Sequence, residues 1–96
     1  MRSIGRIDHP SLQITVFSND DRFPVQFETG GLTQVYRFRR SEQLRHLGDI
    51  RALLDAPFLA AVEAQFRSME RERARLLAGL RPATGAEPDG DLPVIL

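Results

Sequence analysis

The sequence has no cysteine, no tryptophan and no lysine, since every one of its 13 Lys+Arg positions is an arginine. Without cysteine the chain forms no disulfide, no thiolate nucleophile and no sulfur-ligated zinc site, which fits a reducing compartment. Without lysine it has no Schiff-base residue and no lysine of a phosphate-binding loop. No apolar run approaches the roughly 20 residues that span a bilayer, and the N-terminus has no secretory apolar region. We therefore predict a cytoplasmic protein with no membrane segment.

The chain is short and electrically balanced, with 96 residues, 13 basic against 13 acidic. A chain of this size makes one small core, so its stability is expected to be marginal. Periodic apolar patterning stops near residue 80, and the remainder is rich in proline, glycine and acidic residues. We predict a single α+β domain over residues 1–80 and a flexible tail over residues 81–96. The apolar terminus Leu92–Leu96 could instead dock or bind a partner.

Two turn signals divide the first forty residues into three alternating strands of an antiparallel meander. Asn19 and Asp20 centre the first predicted turn, and Gly30-Gly31 centres the second, because glycine accepts the positive φ of a tight hairpin turn. Val16 and Phe38 are then both expected to lie opposite Phe23. One face of the sheet receives eight apolar side chains: Leu12, Ile14, Val16, Phe23, Val25, Phe27, Tyr36 and Phe38.

Two features interrupt this pattern. Pro24 has no N–H to donate, so the ladder is expected to be short or bulged beside it. Phe17 and Val35 fall on the otherwise polar face, either as isolated exposed side chains or as a small contact patch.

A helical period begins after the strands. Ser41 is a candidate N-cap of a short helix that contains Leu44 and Leu47 and ends at Gly48. Asp49 can start a second short helix, with Ile50, Leu53 and Leu54 facing inward. Asp55-Ala56-Pro57 then opens the longest element, predicted from about Ala56 to Leu80 and packed on one face of the sheet.

The long helix carries a stripe with alternating spacings of three and four residues, which is typical of helices packed side by side. The stripe consists of Leu59, Val62, Phe66, Met69, Arg73, Leu76 and Leu80. A helix of about 25 residues is roughly 37 Å long, whereas a seven-residue strand spans only about 23 Å. The sheet is therefore too short to cover the helix end. Most soluble oligomers are twofold homodimers, so we predict a dimer interface formed by Met69, Arg73, Leu76, Leu77 and Leu80.

Residues with catalytic or metal-binding chemistry are sparse. His9 and His46 each have a carboxylate nearby in sequence, but neither belongs to a set of converging ligands or to a nucleophile, acid and base arrangement. We predict surface or capping roles for both histidines, no metal, no cofactor and no enzymatic activity.

Uneven charge leaves nucleic-acid binding open. Residues 37–51 and 67–81 each contain five arginines against two acidic residues, and residues 82–96 carry three acidic residues. Arg37, Arg39, Arg40 and Arg45 form the candidate anion or nucleic-acid patch. Alternation buries Tyr36 and Phe38, so they are not expected to stack on bases. The acidic tail is a candidate cover for this patch in the free protein.

The sequence by itself does not determine the function. The favoured interpretation is a small non-catalytic interaction or adaptor module that acts as a homodimer and binds a further, unknown protein. The alternative is an arginine-rich regulator that binds nucleic acid, followed by an enzyme or a small-molecule-binding protein.

Overall fold

Four antiparallel strands and two helices form residues 1–80, the part of the chain that this computed structural model describes. The strands are β1 (Arg2–Ile7), β2 (Gln13–Ser18), β3 (Arg22–Thr29) and β4 (Leu32–Arg39), and they lie side by side in that order. The helices are α1 (Leu47–Leu53) and α2 (Ala56–Ala78). The α+β class and the long C-terminal helix are confirmed, but the prediction of three strands was wrong. The tail and its terminus Leu92–Leu96 lie outside the described residues.

Strand β1 was not predicted because a β-bulge interrupts its alternation of apolar and polar residues. Ser3 pairs with Phe17 and Gly5 pairs with Val16, so one extra residue, Ile4, is inserted between two consecutive pairs. Ile4 and Ile7, three apart in sequence, are both half-buried against the core. A regular strand would place them on opposite faces. Bulges of this kind shift the pattern by one residue and conceal it from a period-two search.

The first hairpin differs from prediction by a shift of two residues. Val16 pairs with Val25 rather than Phe23, and Ile14 pairs with Phe27 rather than Val25. The Asn19 N–H donates to the Arg22 carbonyl at 3.1 Å, and the Arg22 N–H donates to Asn19 Oδ1 at 2.9 Å. This closure moves the turn centre one residue along the chain. An even shift leaves every side chain on its predicted face.

The second hairpin matches the prediction residue for residue. Phe23 pairs with Phe38 and Val25 with Tyr36, and the pair Thr29 and Leu32 closes the turn. Gly30 and Gly31 have φ values of +53° and +81°, the conformation that the tightest hairpin turn needs at both central positions. The expected short ladder at Pro24 is also confirmed. The pairing of β3 with β2 stops at Val25, while the pairing of β3 with β4 continues through Pro24.

The segment between β4 and α1 was predicted less well. Ser41 and Leu44 form a closed turn through mutual backbone hydrogen bonds of 3.1 and 3.2 Å, and no helix begins there. Helix α1 starts after His46 and includes Gly48, which therefore does not end a helix. Ile50 and Leu54 are buried as expected, but Leu53 is 43% exposed and does not face inward.

Helix α2 crosses one face of the sheet. Asp55 caps it, accepting from the Phe58 N–H at 3.0 Å through Oδ1, and a proline occupies its first turn. Gln34 Nε2 donates to the Val62 carbonyl at 3.0 Å and so ties β4 to the helix. The buried core lies between sheet and helices: Leu12, Ile14, Val16, Phe23, Val25, Phe27, Ile50, Leu54, Val62 and Phe66. Tyr36 and Phe38 are half-buried against it.

Candidate interaction surfaces

Both histidines serve local structure. His9 Nδ1 accepts from the N–H groups of Ser11 and Leu12 at 3.1 Å each, which fixes the loop between β1 and β2. The Ser11 hydroxyl donates to Glu63 Oε2 at 2.7 Å and thereby joins this loop to α2. The Ser11 hydroxyl also lies 3.4 Å from His9 Nδ1, but its shorter bond goes to Glu63, and His9 Nδ1 accepts from two backbone N–H groups. His46 precedes α1 as its N-cap residue.

Asp49 organises the start of α1. One oxygen, Oδ2, accepts from the backbone N–H of Arg45 at 2.8 Å and from that of His46 at 3.0 Å. These two bonds, the one from Arg45 first, stabilise the carboxylate and lower the pKa of Asp49 below its ordinary value. The Asp49 side chain is half-buried, and both of its bonds go to the backbone that leads into α1.

Helix α2 extends past the sheet at its C-terminal end. The β3–β4 turn is the last part of the sheet beside the helix, where an added Cβ at Gly30 would lie 3.4 Å from Glu70 and one at Gly31 would lie 3.1 Å from Arg73. The helix ends at Ala78 rather than at Leu80, so it continues for five residues, about 7.5 Å of helix rise, past Arg73, and Leu80 follows the C-cap Gly79. We call Leu76, Leu77 and Leu80 the leucine end; their exposed fractions are 64%, 58% and 69%.

The five predicted interface residues therefore fall into two groups. Met69 is half-buried and packs against the core of its own chain. Arg73 is half-buried beside the β3–β4 turn. Of the five, only the leucine end is exposed, so an association through these residues has to use the last turn of α2 and the residues just after it.

The predicted basic patch is also divided by the fold. Arg40 NH2 donates to Ser18 Oγ and to the Asn19 carbonyl, both at 2.8 Å, and its guanidinium lies 4.3 Å from the centroid of the Phe23 ring. It is half-buried and fastens the β2–β3 turn. Arg45 lies in the exposed turn before α1. Arg37 and Arg39 alone share a surface, the sheet face turned away from the helices.

That surface, which we call the open face, is basic and polar. Its residues follow from the strand register, because every second side chain points away from the core. Arg22 pairs with Arg39, Pro24 with Arg37, and Arg6 with Thr15. The open face consists of Ser3, Arg6, Gln13, Thr15, Phe17, Arg22, Pro24, Gln26, Glu28, Thr33, Val35, Arg37 and Arg39.

Sequence reasoning missed two of these arginines. Arg22 could have been found, since the predicted register of the second hairpin already places it opposite Arg39. Arg6 could not, because its strand was not recognised.

Other surface features of residues 1–80 are modest. A shallow depression of about 200 Å³ lies between the β1–β2 loop and α2, bordered by Ser11, Glu63 and Glu70. Within these residues no group of three His, Cys, Asp or Glu side chains converges on a common point. None of the helices in this range combines the length and the apolarity needed to cross a membrane.

Comparison of the chain with known protein families, with curated proteins and with solved structures finds no match in any of the three.

Proposed function

We propose that the protein is a small non-catalytic interaction module that forms a homodimer through the leucine end of α2. The observation that carries this proposal is the exposure of three leucines, each more than half accessible, on a helix end that the sheet does not reach. Scattered exposed leucines are ordinary. Here three exposed leucines fall within five positions, two in the last turn of α2 and one just after its C-cap.

The free energy available at this surface is moderate. Full burial of one leucine contributes about 1.5–3 kcal/mol. At the observed exposures, burying the leucine end would contribute about 3–6 kcal/mol per chain by the same scale. Association costs at least about 4 kcal/mol in lost translational and rotational freedom. Two chains together would gain about 6–12 kcal/mol, which leaves at most about 8 kcal/mol after this cost, so we expect a reversible dimer whose dissociation constant is micromolar at its tightest.

A twofold axis would place Arg73 of each copy beside the C-terminus of α2 of the other copy. If two copies of α2 pack antiparallel with Leu76 beside Leu76 of the second copy, Arg73 of each lies beside Gly79 of the other. Gly79 is the C-cap and donates its N–H to the carbonyls of Leu76 and Leu77, at the negative end of the helix dipole. A cation at a helix C-terminus contributes about 0.3–1 kcal/mol. The arginine that interrupts the apolar stripe thus has an electrostatic role in this arrangement and favours one orientation.

Sedimentation velocity tests the dimer. We expect the wild-type chain to sediment as a dimer at about 300 μM, well above a micromolar dissociation constant. The double variant Leu76→Arg/Leu80→Arg should be monomeric at the same concentration. Ala78→Arg is the matched control, because it adds charge in the same turn on the opposite side of the helix, and it should remain dimeric.

Three results would refute the proposal. They are a monomeric wild type at this concentration, a double variant that still dimerises, and an Ala78→Arg variant that dissociates as fully as the leucine variant. Helix content by circular dichroism checks that all three chains are folded.

A further inference from the structure

Within residues 1–80, the open face carries more positive charge than neighbouring acidic side chains neutralise. It contains four arginines, Arg6, Arg22, Arg37 and Arg39, and one acidic residue, Glu28. Three pairs of basic and acidic side chains lie within 4.0 Å of each other in residues 1–80, His9 with Glu63, His46 with Asp49, and Arg75 with Glu72, and none involves an arginine of this face.

One contact within this set is unfavourable in the free protein. Arg22 lies directly opposite Arg39 on neighbouring strands, and like charges in that position destabilise a sheet. The adjacent turn holds Asp20 and Asp21, yet neither lies within 4.0 Å of these guanidinium groups. A bound anion between the two arginines would reverse the sign of this interaction.

An aromatic side chain lies beside the arginines. Phe17 is half-buried in β2, on the same face, one residue past the last pair of β2 with β3, and Pro24 of β3 lies opposite Arg37 on β4. With strands about 4.8 Å apart, Phe17 lies about 10 Å from Arg37 across the sheet. Ser3 lies opposite Phe17 on the edge strand β1, and Arg6 lies diagonally from Phe17, opposite Thr15. The ring therefore shares the open face with the arginines, with Pro24 between it and Arg37.

From this juxtaposition we propose that the open face binds single-stranded nucleic acid. Proteins that bind single strands combine a positive surface along the backbone with aromatic rings on which bases stack. Arg37, Arg39 and Arg22 would contact phosphates, and Phe17 would stack on a base. Gln13, Gln26, Thr15 and Thr33 offer donors and acceptors to base edges or sugar hydroxyls on the same face.

The shape of the surface favours a single strand over a duplex. Reading a duplex requires a helix or a ribbon that enters a groove. Both helices of the described chain pack on the other side of the sheet, so no element of residues 1–80 projects from the open face. An extended chain with accessible bases can lie flat on such a surface.

Fluorescence anisotropy with a labelled ten-nucleotide oligouridine tests this proposal, using the full chain at about 50 mM salt, where phosphate contacts are strong. We expect binding that Arg37→Gln/Arg39→Gln weakens, with the slope of log K against log salt reduced by about 1.4 in magnitude. Phe17→Leu keeps an apolar side chain but removes the ring, and should weaken binding about 5- to 160-fold. Arg71→Gln/Arg75→Gln removes the same charge from the exposed side of α2 and should bind like the wild type.

The competing outcomes are distinct. Absence of binding at this salt concentration overturns the proposal, and so does equal weakening by the α2 control pair, which would indicate an unspecific charge effect. Stronger binding of a duplex of the same length, or of a polyglutamate peptide, would assign the open face to a different class of partner. Unchanged affinity of Phe17→Leu would remove the stacking role and leave only phosphate attraction, which also contradicts the proposal.

Discussion

We predict that Arg40 stabilises the fold and, unlike Arg37 and Arg39, does not belong to a binding surface. Its guanidinium joins Ser18 and Asn19 through two hydrogen bonds of 2.8 Å and covers the ring of Phe23 at 4.3 Å. Arg40→Ala removes all three contacts. It retains the backbone bond from the Arg40 N–H to the Asp21 carbonyl. The turn between β2 and β3 would then be held only by its backbone and by Asn19.

The cost can be worked out from these contacts. Hydrogen bonds from a charged donor contribute about 1.5–3 kcal/mol each when well formed, and a cation over an aromatic ring contributes about 0.5–1 kcal/mol at an exposed site. Because one nitrogen makes both bonds and the side chain is only half-buried, we expect a total loss of about 3 kcal/mol. For a protein this small, with a urea dependence of about 1 kcal/mol/M, the unfolding midpoint falls by roughly 3 M.

Urea unfolding followed by circular dichroism at the helix band measures this change. Arg39→Ala is the control, since Arg39 is the preceding residue, is exposed, and makes no side-chain hydrogen bond to another part of residues 1–80. Its stability should stay within about 0.5 kcal/mol of the wild type or rise slightly, because the substitution relieves the pair with Arg22. Equal midpoints for Arg40→Ala and the wild type, or an equal loss for Arg39→Ala, would show that the contacts of Arg40 do not stabilise the turn.

Two further perturbations test local structure. The folded pKa of Asp49 is lowered, so its stabilisation of α1 is present above the ordinary carboxyl pKa near 4 and is lost as the pH falls through the lower folded value. In amide exchange, the protection factors of the α1 amides should fall on acidification in the wild type and change little with pH in Asp49→Asn. Equal pH profiles of these protection factors would contradict this. An added Cβ at Gly5 would lie 2.5 Å from Leu47 Cδ2, while nothing lies within 4 Å at Gly48. Gly5→Ala should therefore lower stability by about 1–3 kcal/mol and Gly48→Ala should raise it by about 0.4–1 kcal/mol, and a thermal melt showing the reverse order would refute the assigned packing of α1 on β1.

The part of the fold that was predicted is the part in which pattern and turn chemistry agree. Gly30-Gly31 allows a single tight turn, so the second hairpin was correct to the residue. Asn19, Asp20 and Asp21 offer several adjacent turn centres, and hydrogen-bond closure at Asn19 selected one that alternation cannot distinguish. An even shift keeps the faces, which is why the core was correct although the first register was not.

What could not be predicted depends on contacts distant in sequence. Strand β1 contains a bulge, and Gly5 is placed by its close approach to Leu47, more than forty residues away. The role of Arg40 likewise depends on a ring and a turn that lie on earlier strands. The predicted patch was therefore built from arginines that are close in sequence but not in space. Of its four members, only Arg37 and Arg39 share a surface.

The two proposed surfaces lie on opposite sides of the sheet, and this separates their tests. Helix α2 packs on the core face, and its leucine end projects beyond the β3–β4 turn. The open face faces the other way, so a dimer formed through the leucine end leaves both copies of that face accessible. Leu76→Arg/Leu80→Arg should accordingly preserve the intrinsic affinity of each chain for a short oligonucleotide. It should weaken binding of a strand long enough to reach both copies, because linked sites gain from a high effective concentration. Equal losses for short and long strands would mean that the leucine end itself contacts nucleic acid.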